Sequence, residues 1–256
     1  MTSPTLRDAR NQRWGMDQPP LETADEAAAY IRDLGFMFLF ADTGGSYPAL
    51  REAVRDDDSP QLPAGWGEDF ERMWTWKDEL PTEGRAWVGR FLANRQSLLS
   101  PELLGLLRDD EEEAQILSTL SPAARRMFEF IDVAGPMSMR LVRQELGINS
   151  RTSQQALAEL GQRLLVTNYG TQADGPGWPS CVVELTSRAF PDGDDRPVRS
   201  RQCEAGLFFL RTMISADARQ LARAFRWPRP VADAVLSDLV EQGRIVAGDG
   251  RAYQIV

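Results

Sequence analysis

The chain has 256 residues, a formal net charge of −9, two cysteines and no histidine. Without histidine there can be no Ser-His-Asp or Cys-His catalysis, no HExxH zinc site and no histidine pH switch, and Cys181 and Cys203 make neither a disulfide framework nor an ordinary structural zinc site. The 20 Gly and 16 Pro residues are ordinary and exclude collagen-like and low-complexity classes.

No apolar run approaches the roughly 20 residues of a membrane helix, so no membrane contact is expected. Residues 1–20 are polar, carry no signal-peptide core and read as a loosely tied, disordered arm. With so few cysteines, the cytoplasm is the expected location. Thr23-Ala24-Asp25-Glu26 is a capping box and opens a helix that ends at Leu34-Gly35. The apolar run 36–41 suits a buried strand or helix piece. Ser46-Tyr47-Pro48 starts a short helix to about Val54, and 56–67 reads as loop. An aromatic-rich segment spans 70–87. Ser100-Pro101-Glu102 caps a helix to Leu107, and an acidic run then leads to Ser121-Pro122, an N-cap with proline at N1.

The second half holds a hidden repeat. A shift of 79 residues superposes Phe128 on Leu207, Ile131 on Leu210, Val142 on Leu221 and Leu146 on Phe225. It also superposes Ile148 on Trp227, Leu157 on Leu236, Leu160 on Leu239 and Val166 on Ile245. Each unit reads helix, short helix, longer helix, β-hairpin, which is the order of a winged helix. The predicted helices are 122–133, 139–146 and 151–162, then 204–213, 216–225 and 230–242. The predicted wing strands are 164–167 with 181–185, and 245–247 with 252–256 around a Gly248-Asp249-Gly250 turn. The expected fold is mainly α with small β-hairpins (α+β). Tandem winged-helix domains at 119–198 and 199–256 follow a helical, aromatic-rich N-terminal domain at 21–118.

Charge is uneven. Residues 1–120 hold 12 basic and 23 acidic residues, 121–198 hold 8 and 9, and 199–256 hold 9 and 6. The acidic runs 56–58 and 109–113 read as solvated faces, and the acidic N-terminal half offers a surface for a protein partner. In a helix-turn-helix the last helix enters the major groove. In the first unit Leu157, Leu160 and Leu164 face the core, leaving Arg151, Thr152, Gln154 and Gln155 outward. Arg reads guanine, Gln reads adenine, and both bind phosphate; a plain solvated polar face is the alternative. In the second unit the outward residues include Asp233, Asp238 and Glu241, which repel phosphate. Arg226 and Arg229, in the preceding turn, are the candidates there for phosphate contact or for internal ion pairs.

The only lysine, Lys77, sits among Trp66, Trp74, Trp76 and Trp87. Lys77, Asp78 and Glu79 are the candidates for acid-base or nucleophilic chemistry in a buried cleft. Trp74, Trp76 and Trp87 are candidates for stacking an extruded base. The alternative is an aromatic core enclosing a Lys77–carboxylate pair. With no GxxxxGK[ST] loop and no GxGxxG after a strand, no nucleotide cofactor is expected, nor any other cofactor or metal.

The stretches Trp74-x-Trp76-Lys77-Asp78-Glu79-Leu80-Pro81, Gly84-Arg85-x-Trp87-x-Gly89-Arg90-Phe91-Leu92 and Ser97-Leu98-Leu99-Ser100-x-Glu102-Leu103-Leu104 resemble the short AlkZ-related branch of the YcaQ/AlkZ winged-helix superfamily. Ser121-Pro122-Ala123-Ala124-Arg125-Arg126 before a winged helix fits as well. The resemblance covers about residues 23–187. It implies tandem winged helices and kinship with bacterial DNA glycosylases that release alkylated bases and repair crosslinks. Those enzymes carry a Gln-x-Gln or His-x-Gln catalytic motif, which this chain lacks, so none of their catalytic residues is carried over. Three readings follow. The first is a DNA-binding tandem winged-helix protein of DNA repair or regulation, not an enzyme. The second is a diverged DNA glycosylase acting on alkylated bases. The third is an acidic protein-interaction module.

Overall fold

The computed structural model describes residues 5–56, 67–108, 113–175, 177–248 and 252–256. It is mainly helical with small antiparallel sheets, an α+β fold. Among the described residues no helix is long and apolar enough to cross a membrane. Residues 57, 58 and 109–112 of the acidic runs, Trp66, and Asp249 and Gly250 of the second wing turn lie outside the described residues.

The N-terminal segment comprises α1 (Leu6–Arg13), α2 (Ala24–Leu34), β1 (Phe36–Phe38), α3 (Leu50–Val54), α4 (Glu68–Thr82), β2 (Trp87–Arg90), β3 (Gln96–Leu99), α5 (Pro101–Leu107) and α6 (Glu113–Thr119). The Thr23 capping box is formed, its side chain accepting from Glu26 N while Glu26 reaches back to Thr23 N. The three strands pair antiparallel in the order β1-β3-β2.

Over residues 5–20 the structure corrects the expectation of a loose arm, and residues 1–4 lie outside the described residues. A second capping box, Thr5 with Asp8, opens α1, and the turn after it buries Trp14. Its partner is the C-terminus of α11 (Val198–Met213), whose last carbonyls have no helical N–H to accept. Trp14 Nε1 donates to Thr212 O (2.8 Å), Arg10 Nε to Met213 O (2.9 Å) and Arg13 Nε to Arg211 O (3.1 Å). Guanidinium charge at this pole also complements the helix dipole.

The first repeat unit runs α7 (Pro122–Ala134), β4 (Met137–Ser138), α8 (Met139–Leu146), α9 (Ser150–Gln162), β5 (Val166–Gln172) and β6 (Ser180–Leu185), with strand order β4-β6-β5, followed by the short α10 (Thr186–Ala189). The second runs α11, α12 (Ala218–Phe225), α13 (Arg229–Glu241), β7 (Ile245–Ala247) and β8 (Tyr253–Ile255). Its counterpart of β4 is a single bridge, Ala216 to Tyr253. The 79-residue shift holds in the backbone as well as in the core. Gly135 (φ 81°) falls on Ile214 (φ 63°), Gly147 (φ 61°) on Arg226 (φ 58°), and Leu164 (φ 57°) on Gly243 (φ 67°). Positive φ therefore recurs at these positions even where one segment carries a side chain that disfavours it, with Gly147 and Arg226 both left-handed and Gly135 and Ile214 differing in ψ (−160° and −48°).

The first unit has a core of its own, built on Met127, Phe128, Ile131, Val142, Leu160 and Val183. The second shares one continuous core with the N-terminal segment. Phe36 stacks on Phe209 (5.6 Å between centroids) and meets Phe225 edge-on (6.0 Å). The reason lies in β1, whose three residues are all buried. A strand without a polar face needs cover on both sides.

Candidate functional site: a cavity at the seam of α4 and α9

Helical spacing sorts the aromatic segment. Trp74, Lys77 and Asp78 stand at i, i+3 and i+4 and share one face of α4, whereas Trp76 stands two residues on and points away. Trp76 is buried in the core and Glu79 is exposed elsewhere. Trp87 is fully buried in β2 with its Nε1 donating to Thr186 Oγ1 (3.1 Å). This corrects the expectation that Trp76 and Trp87 stack a base, because neither has an open ring face. Of the three tryptophans only Trp74 reaches solvent. It stacks on Phe70 (5.9 Å, 12°), with Phe40 beside both.

The face of α4 carrying Lys77 closes a cavity of about 350 Å³ between α4, β2, α9 and the β5–β6 pair. Lys77 is buried, ion-paired with Asp78, and its Nζ lies 4.5 Å from the Trp74 ring centroid. Asn168 of β5 locks this pair in place, its Nδ2 donating to Asp78 Oδ1 (2.8 Å) and to Lys77 O (3.1 Å). Cys181 of β6 donates its thiol to Asn168 Oδ1 (2.6 Å). Burial pushes that thiol up to about 11, against the opposing pull of the Lys77 charge. A shallower groove of about 340 Å³ shares Gln154, Leu157 and Cys181 with the cavity and runs on to Arg140, Arg143 and the exposed Trp178.

The helix α9 forms the opposite wall. Its N-terminus is capped by Asn149, whose side chain accepts from Thr152 N (2.9 Å). Ser153, Ala156 and Leu160 turn inward. Arg151, Gln154 and Gln155 share an exposed face, and Thr152 is half-buried beside them. Leu157, expected in the core, is half-buried and lines the cavity instead. At Gly161 the helix comes so close to β2 that a Cβ there would stand 3.2 Å from both N and O of Arg90.

Arg226 and Arg229 are not brought to this face. Arg226 lies with Gln162 and Arg163 around a separate cavity of about 580 Å³, at the far end of α9 from Arg151. Eleven residues of helix put about 16 Å between the two ends. Crowding by burial and by the Arg163 charge lowers the pKa of Arg226. Arg229 is ion-paired with Asp233 on its own helix (3.0 Å). The sequence reading missed Arg90, Asn168 and Cys181. Only the strand assignment of 181–185 placed any of them near one another, and the irregular register between Asn168 and Thr171 hides the contact.

These features define an α+β protein in which a helix-hairpin unit closes a cavity against an aromatic helix. The model of the AlkZ related family matches residues 21–221, and the chain belongs to that family. The chain is similar in fold to Streptomyces sahachiroi DNA glycosylase AlkZ, at 13% identity and a TM-score of 0.56, over 96% of this chain and 68% of that one. A second structure, the DIP2311 protein from Corynebacterium diphtheriae, is 16% identical over 82% of this chain and 40% of that one, at a TM-score of 0.23. No curated protein matches the chain.

Proposed function

We propose that this protein binds DNA in a repair context, through the exposed face of α9 and the cavity it borders. On this reading 119–198 and 199–256 are tandem winged helices, and only the first reads nucleic acid. The observation that carries the reading is the exposed trio Arg151, Gln154 and Gln155, of which Gln154 also lines the cavity. Membership of a family named after AlkZ and likeness in fold to a DNA glycosylase support it. Arg and Gln have the hydrogen-bond patterns for guanine and adenine edges and for phosphates. In the second unit the outward carboxylates of α13 are engaged, Asp233 with Arg229 and Asp238 with Arg199 (2.6 Å), which suits a scaffold.

Fluorescence anisotropy with duplex, single-stranded and alkylated oligonucleotides tests this. Binding that weakens steeply between roughly 50 and 200 mM salt is expected, with Arg151→Ala lowering affinity and flattening the salt slope. Failure to bind any of the three at low salt refutes it. The second reading, a diverged glycosylase, is favoured by Lys77, which lines the cavity, and by the Asp78 carboxylate paired with it. Release of free base from alkylated DNA, lost in Lys77→Ala, is its test.

A further inference from the structure

We infer that the exposed face of α12, together with Arg163 just past the end of α9, grips the phosphate backbone of a DNA duplex and does so without reading bases. The inference rests on the DNA-binding reading above and adds a second surface, outside the cavity between α4 and α9. Arg219, Arg223 and Arg226 stand at i, i+4 and i+7, share one face of α12 and its cap, and are all exposed. Among the described residues none of the three has a carboxylate within ion-pair distance. By contrast Arg199, Arg229 and Arg244 of the same unit are paired with Asp238, Asp233 and Glu204.

Helix stability explains only part of this face. Cations near a helix C-terminus complement the dipole, which accounts for Arg223 and Arg226. Arg219 stands in the first turn, at the positive pole, where a cation is disfavoured. Like charges at i and i+4 also repel. Arg226 occupies a left-handed cap (φ 58°, ψ 28°), where the first unit uses Gly147. Glycine adopts that conformation without strain, so the chain keeps a charge there at a conformational cost. The cationic band continues beyond α12. Arg226 and Arg163 line one cavity, and burial together with the Arg163 charge lowers the pKa of Arg226. Gln162 donates to Asn94 Oδ1 (2.7 Å), and Gly161 packs on the backbone of Arg90, which lines the cavity between α4 and α9. The band thus adjoins the candidate site. Its α12 members are spaced about 4.5–6 Å along the helix axis, and each guanidinium presents a planar pair of donors to a phosphate. A protein partner would need apolar anchors, whereas Leu221, Ala224 and Phe225 of α12 are buried.

The test uses the whole chain and two duplexes of unrelated sequence, with anisotropy followed between roughly 50 and 200 mM salt. Combining Arg219→Gln, Arg223→Gln and Arg226→Gln is expected to flatten the salt slope by about 2–3 and Arg223→Gln alone by about 1, equally on both sequences. The same three positions changed to lysine should keep most of the slope, because charge and not packing is at work. Arg32→Gln, which removes one charge from the exposed face of α2, should leave the slope unchanged. A wild-type slope in the triple glutamine variant overturns the inference, as does an Arg32→Gln slope flattened as much as that of Arg223→Gln. Binding of a polyglutamate peptide that is lost in the triple glutamine variant while the DNA slope stays unaltered also overturns it, in favour of an acidic protein partner. If the wild-type chain binds neither duplex at low salt, the DNA-binding reading itself falls. If it binds, is weakened by Arg151→Ala and is unaffected by the three glutamines, only the present inference falls.

Discussion

The contact between α9 and β2 fixes the shape of the cavity, and a single methyl group tests it. Gly161→Ala adds a Cβ 3.2 Å from both N and O of Arg90. These are backbone atoms in a strand registered against Gln96, so they cannot swing aside as a side chain would. Two terms of opposite sign act. Alanine in a helix is favoured over glycine by up to about 1 kcal/mol. Over-packing against rigid neighbours costs about 1–3 kcal/mol. The net is a destabilisation of about 0–2 kcal/mol. Gly105→Ala is the control, because α5 is also helical there and its nearest new neighbour, Asp194 Cβ, lies 3.9 Å away in ordinary contact. That variant should gain about 0.5–1 kcal/mol. For a chain of this size 1 kcal/mol moves Tm by about 2–4 °C. Gly105→Ala should therefore melt about 1–4 °C higher, and Gly161→Ala at the wild-type temperature or up to about 8 °C lower. Urea titrations with an unchanged m-value establish that the folded state is the one affected. A Gly161→Ala protein stabilised as much as Gly105→Ala would show that α9 does not sit on β2 at this distance.

Three further outcomes are expected. Trp14→Ala removes a buried indole and its bond to Thr212 O, and should cost about 3–5 kcal/mol in urea unfolding; a loss under about 1 kcal/mol would mean that α1 is not docked on α11. Burial alone would raise Asp69, but the Arg51 guanidinium (2.5 Å) and the N–H groups of Asp56 and Phe70 hold it below the usual carboxylate range. Its contribution is thus present above about pH 4 and lost as pH falls further. The stability difference between wild type and Asp69→Asn should accordingly be full at pH 7 and shrink on acidification, and a difference constant with pH refutes the pairing. Cys181, with its thiol pushed up to about 11 from 9.0, should alkylate at pH 8 about 100-fold more slowly in the native state than in urea. Its contribution to stability is present below about pH 9 and fades toward about 11. Equal native and unfolded alkylation rates would place the thiol in solvent.

Much of the fold could be read from the sequence because its signals are local. Ser100-Pro101 and Ser121-Pro122 stand as N-cap and N1 of α5 and α7, and the Thr23 box opens α2. The like order of elements after Pro122 and after Val198 could be read because similar chain paths space core positions alike. The arm was not legible, since α1 is mostly polar and buries none of its own residues, and its partners lie about 200 residues away on α11. Nor was the strand order β1-β3-β2, in which the first strand pairs with the last. At the candidate site the sequence brought Lys77 and the α9 face into view but treated Trp74, Trp76 and Trp87 alike. Two-residue spacing on a helix separates Trp74 from Trp76, yet this applies only once α4 is known to be a helix, and Pro81 near its end obscured that.

The segments 122–185 and 198–255 follow a like order of elements but pack differently. In the second copy α11 must cover β1 with Phe209 and accept α1 at its C-terminus. Both elements depend on it, and α13 is tied by Arg199 to α11 and by Arg229 to itself. A helix so constrained has little freedom to gain an exposed basic face without disturbing the shared core. The first copy has a closed core of its own and touches the rest of the chain along α9, β5 and the strands beside α4. Its outward residues can change at small cost, because surface substitutions away from packed contacts usually shift stability by no more than about 0.5 kcal/mol. The cavity thus opens between the self-contained first unit and the N-terminal segment, with Gln154 on one wall and Lys77 on the other, and the second unit takes no part in it.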